Sequence, residues 1–137
     1  MSNTKKNTTV TATVDTATIT EANKNTTTTF SDDRGDGAED PGHPETFTSS
    51  VDKDKNIYWT GAADNGTTEV AITGIAVKSG SDIMKNIKQD PNNSLNWQAK
   101  IKKDATIGTT QSYSITFKIN NDASKVFTID PKIKVKE

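Results

Sequence analysis

Threonine fills 23 of the 137 positions, and no other feature narrows the fold so far. A branched Cβ disfavours helix and suits a pleated, half-buried strand. Asn and Asp are also abundant, and they favour turns. A chain built this way reads as many short strands separated by polar turns. Hydrophobic residues make up 30%, and the 8 Gly do not lift that share to the roughly 45–50% of an ordinary domain. The large core candidates are few: Phe30, Phe47, Tyr58, Trp59, Trp97, Tyr113, Phe117 and Phe127. All follow residue 29, so the core is expected in 47–137, with the N-terminal third supported by it or by a partner.

Three zones follow. Residues 1–30 are a Thr-rich strand segment, in which Val10, Ala12 and Val14 alternate in one phase and Ala17 and Ile19 in the other. Such alternation marks half-buried strands, and the slip at Asp15-Thr16 marks a bulge or tight turn. TTTTF at 26–30 is a further short strand. Residues 31–46 carry six acids against Arg34, with three Gly and two Pro. This is an acidic loop or linker. Residues 47–137 supply the sandwich core. Leu95–Ile101, Tyr113–Ile119 and Phe127–Val135 alternate cleanly, with Lys, Thr, Ser, Asn and Asp facing outward. One buried and one solvated face is the mark of antiparallel sheet. Gly74 sits at a phase slip, Asn65-Gly66 is a turn, and Asn121–Ser124 closes a hairpin. Pro131 marks an edge or a bulge in the last run. SGSDIMKNIKQD is the one helix candidate, with Ile83, Met84 and Ile87 on a shared face. The fold expected is an all-β antiparallel sandwich, immunoglobulin-like or jelly-roll-like, with an N-terminal strand extension and at most one short helix.

Absences exclude several chemistries. With no cysteine there is no disulfide, no thiol nucleophile and no thiolate metal site. One histidine, His43 in the acidic loop, does not make a zinc or copper site of the usual kind. No phosphate loop, nucleophile elbow or triad set is present, so no enzyme activity is expected. A net charge of -1 argues against nucleic-acid binding, which needs a basic surface. No apolar run approaches the roughly 18 residues of a membrane span. The opening MSNTKKNTTVTATV lacks the apolar stretch of a secretory signal, so the expectation is cytoplasmic synthesis with non-classical export or assembly. The strand rhythm from Phe47 through Trp59 to Val135 resembles cupredoxin-like and immunoglobulin-like sandwiches. The missing ligands remove the copper site of the former, and the resemblance implies no function.

Five candidate features remain. Asp32, Asp33, Asp36 and Asp40 offer oxygens to an irregular Ca²⁺ site, although Arg34 and His43 break the EF-hand pattern. Calcium is the one cofactor suggested. Arg34-Gly35-Asp36 spells an integrin-binding tripeptide. Four Asn-x-Ser/Thr sequons, at Asn7, Asn25, Asn65 and Asn92, arise readily in a chain this rich in Asn and Thr. Tyr58 and Trp59 are adjacent and in a strand face opposite ways, so one is available to stack on a sugar ring. Finally, the chain is polarised: from Lys100 onward eight Lys face four acids. Together with a strand segment too poor in hydrophobes to hold itself, this suggests a structural module. It would dock on copies of itself or on another protein through strand addition and charge complementarity, as in a filament or shell. Val10, Ala12, Val14, Ala17 and Ile19 are the expected interface residues. Carbohydrate binding is the alternative.

Overall fold

Thr-rich alternating segments become strands almost throughout a computed structural model that describes residues 5–36 and 46–137. The described residues form β1 (Thr8–Val14), α1 (Lys24–Thr27), β2 (Thr28–Asp32), β3 (Thr48–Val51), β4 (Asn56–Ala63) and β5 (Val70–Gly80). They continue with β6 (Met84–Gln89), β7 (Trp97–Ile101), β8 (Thr110–Ile119), β9 (Val126–Ile129) and β10 (Lys132–Val135). Sheet A runs β2-β1-β4-β7-β6, and sheet B runs β3-β10-β8-β5 with β9 also paired to β8. Two faces packed on each other make the expected all-β sandwich, with α1 its one short helix.

The sheets are mixed rather than purely antiparallel. β1 runs parallel to β4, and β10 parallel to β3. Tight hairpins force antiparallel neighbours, whereas parallel ones need a long connection. Both parallel pairs are separated by intervening strands, so the chain has room to re-enter in the same direction.

β1 is not an extension. It lies between β2 and β4, and Val10, Ala12 and Val14 are 0% exposed in the core. Ile19 is buried as well, while Ala17 stands exposed in the turn that follows. Four of the five residues expected at an intermolecular interface are therefore part of the chain's own core. The strand addition foreseen for them takes place within the chain, because β4 offers an edge at the high effective concentration of a tethered partner. The core is accordingly not confined to 47–137. Phe30 of β2 stacks on Phe47 with ring centroids 5.7 Å apart.

Residues 84–89 form β6, not a helix. Asn86 adopts φ +55° and the register with β7 shifts between Lys85 and Lys88. A bulge there lets Met84 and Ile87 both face inward at a helix-like spacing. α1 is a single turn that delays the predicted strand to Thr28. Gly74 sits at a register shift in β5, as its phase slip predicted. Pro131 separates β9 from β10. At Gly61 the sheets touch: a Cβ there would lie 2.6 Å from the Val70 carbonyl oxygen. Only glycine fits that corner between β4 and β5.

Candidate functional site

Most of the residues that the sequence proposed as sites are buried or bonded within the chain. Trp59 is 0% exposed, so it offers no stacking surface. Its Nε1 donates to the Tyr113 hydroxyl at 3.0 Å, and the two rings lie 5.4 Å apart. Tyr58 faces the other way and is half-buried, its hydroxyl accepting from Asn56 Nδ2. The two face opposite ways as expected, which leaves Tyr58 as the one aromatic of the two on the outer face.

Burial pushes the Tyr113 phenol above its usual range; donation from Trp59 opposes the shift and the Asp32 charge adds to it. The folded phenol thus ionises at higher pH than the unfolded one. Its stabilising contribution is complete below the unfolded value of about 10 and is lost as pH rises above that point. Tyr113→Phe is expected to flatten this alkaline loss, which has a slope of about 1.4 kcal/mol per pH unit. It also strands a buried indole N–H, at about 1–3 kcal/mol near neutrality. Urea melts of both proteins at neutral and alkaline pH measure both effects.

Asp32, Asp33 and Asp36 serve the chain's own backbone. Asp32 Oδ1 accepts from the amides of Arg34 and Asp36, and its other oxygen from the Ser49 hydroxyl. Asp33 accepts from the Thr9 amide at 2.9 Å, and Asp36 from the Ser50 amide at 2.8 Å. Burial raises the Asp32 carboxyl above its usual range. Burial also pushes Asp36 upward, but the Ser50 amide, the Asp32 carboxyl, the Ser50 hydroxyl and Lys136 outweigh it and hold Asp36 low. Among the described residues no three His, Cys, Asp or Glu side chains gather as metal ligands. Asp40 and His43 lie outside the described residues.

Arg34 is not a displayed integrin ligand. Its side chain is 10% exposed and pairs with Asp52, whose side chain is 0% exposed, at 3.2 Å. Arg34 also donates to the Thr8 hydroxyl at 3.2 Å, and Thr8 donates to the Ser50 carbonyl at 2.7 Å. The Lys6 amide donates to Asp52 at 2.9 Å. Sequence reading missed this group because its members are scattered along the chain and Arg34 stands in a run of acids.

The same bonds decide which strand edges are open. A free edge presents unpaired N–H and C=O groups and invites another strand. At β3, both the amide and the carbonyl of Ser50 are taken, by Asp36 and Thr8. At β6, Lys85, Lys88 and the Asn86 bulge defend the edge. β9 is four residues long and packs beside α1. β2 is five residues long and exposes Thr29 and Ser31. β5 is different. It is 11 residues long and pairs on one side with β8. Leu95 covers the start of its other side by accepting from the Ile72 amide. Beyond Gly74 the strand continues through exposed Ala76 and Val77, the latter 49% exposed. Lys78, paired with Asp130 at 3.5 Å, is the one charged residue in this strand. This stretch is the candidate site: it is long and apolar at Ala76 and Val77, with Lys78 and a register shift at Val77/Ser79 at its far end.

Residues 6–125 match a family described as a domain of unknown function (DUF8788). No curated protein matches the sequence. Among solved structures, the chain is similar to the crystal structure of an inclusion body protein (PixA) from Burkholderia cenocepacia J2315. The TM-score is 0.68 at 9% identity, covering 97% of each chain. At that identity the likeness shows the shared fold. No helix among the described residues is long and apolar enough to cross a membrane.

Proposed function

We propose that this chain, which belongs to the DUF8788 family, is a non-enzymatic structural module that joins copies of itself by strand addition. The open second half of β5 carries the reading. The other edges among the described residues are capped, bulged or shorter, and β5 offers the longest run of unpaired backbone. The fold is also that of a protein named an inclusion body protein, which supports an assembling role. The chain has no cysteine, so thiol chemistry is outside its means.

Two geometries of addition differ in outcome. Pairing of β5 with β5 about a two-fold axis closes as a dimer, whereas pairing of β5 with the β2 edge of the next copy does not close and grows a filament. Light scattering behind a sizing column separates them. The expected mass exceeds one chain and rises with concentration. Val77→Lys puts a charge on the edge at a residue already half in solvent, so folding is spared. It is expected to weaken association at least about tenfold, or about 1.4 kcal/mol. A monomer at every concentration, or a Val77→Lys variant that associates as before, overturns the reading.

A further inference from the structure

The outer face of sheet B carries a second feature, independent of the β5 edge. Strand alternation turns Ile133 and Val135 inward at 0% exposure and leaves Lys132, Lys134 and Lys136 outward and exposed. β10 is flanked on both sides, so each of the first two lysines lies between hydroxyls. Lys132 pairs in register with Thr48 on β3 and Ser112 on β8, and Lys134 with Ser50 and Thr110. Cross-strand partners share a face. The result is a groove of ≈ 370 Å³ lined by Asp36, Thr48, Ser50, Thr110, Lys132, Lys134 and Lys136.

The groups in this groove are underused. Among the described residues none of the three ammonium groups forms an ion pair, although Lys78, Lys100 and Lys102 elsewhere each do. The hydroxyls of Thr48, Thr110 and Ser112 have no partner among the described residues either. Asp36 is the single acid in the groove; the Ser50 amide holds it at 2.8 Å, and of the three lysines only Lys136 acts on it. Alternate residues of a strand stand about 6.7 Å apart, so the three lysines span about 13 Å. One tetrahedral oxyanion does not reach across that distance. A chain of them does, with hydroxyl donors on either side.

We propose that this groove binds a linear polyanion of the phosphate class. Lysine ammonium groups serve as point charges for successive phosphoryl groups, and the Thr and Ser hydroxyls donate to the oxygens between them. The near-neutral net charge of the chain is no obstacle, since the groove concentrates positive charge on one face.

Titration calorimetry of the full chain with a short linear polyphosphate, and separately with orthophosphate, tests this. Saturable binding of the polyphosphate is expected, weakening as salt rises, with orthophosphate at least about tenfold weaker. Lys132→Gln with Lys134→Gln is expected to reduce affinity at least about tenfold. Lys85→Gln with Lys88→Gln, the same charge change on β6 of the other sheet, is expected to leave affinity within about twofold. Both pairs are exposed, and matching thermal melts show that folding is unchanged. Absence of saturable binding overturns the proposal. So do equal losses in the two variants, which reveal bulk charge attraction, and equal affinity for orthophosphate, which reveals a point site. If Lys132→Gln with Lys134→Gln instead lowers the oligomer mass without added polyphosphate, the face belongs to a second copy and the proposal falls.

Discussion

Asp52→Ala is expected to lower stability by about 3–5 kcal/mol, because it leaves a guanidinium buried without its counter-charge. The Arg34 side chain is 10% exposed and Asp52 is 0% exposed, so little water reaches the charge left behind. The Lys6 amide would lose its acceptor at the same time. Replacing both members, as in Arg34→Met with Asp52→Leu, removes the charges together. It is expected to recover most of the loss, since apolar pairs of similar volume often match a buried ion pair. Urea denaturation of the two single variants and the double variant gives the coupling directly. Near-additive losses would mean that the pair is exposed in solution and that the first strand is held by its core face alone. The loss also bears on assembly. The group caps β3 through Ser50, so loosening it would create a second open edge on sheet B, and the Asp52→Ala protein is the one expected to aggregate.

The strands that the sequence made legible are those whose partners need no help from elsewhere. β7, β8 and β9 with β10 alternate without interruption, and each buries one face against the other sheet. The even spacing of Tyr113, Ile115, Phe117 and Ile119 leaves no second interpretation. β6 was illegible for a definite reason. Its positive-φ residue Asn86 inserts one residue into the alternation and gives Ile83, Met84 and Ile87 a helical spacing. Under three turns of helix is marginal in water, and pairing with β7 outweighs it. The parallel pairings were illegible because nothing local in β1 or β3 encodes direction. The candidate edge was half legible. The phase slip at Gly74 was plain, but an edge is defined by which strand is missing beside it, and that is a property of the sheet order. The polar group around Asp52 was invisible because Arg34 and Asp52 stand 18 residues apart, and a solvated linker was the simpler account of so acidic a segment.

Trp59→Ala separates the structural reading of the aromatic pair from the carbohydrate-binding one with a single measurement. If the indole were an outward stacking platform, its removal would leave stability within about 0.5 kcal/mol and abolish sugar binding. The indole is instead 0% exposed between the sheets, held by Tyr113 and aligned in register with Trp97 of β7. Truncation then empties the volume of the largest core side chain in a protein that has few large ones. The expected cost is about 3–5 kcal/mol, against a total of about 5–15 kcal/mol for a domain of this kind. At a urea dependence of about 2 kcal/mol per molar, the midpoint falls by about 2 M. Tyr58→Ala, at the next position but on the opposite face, is expected to shift it far less. The contrast between neighbours follows from strand alternation alone: two aromatic residues side by side in sequence are divided between core and solvent, and the energy goes to the one that faces inward.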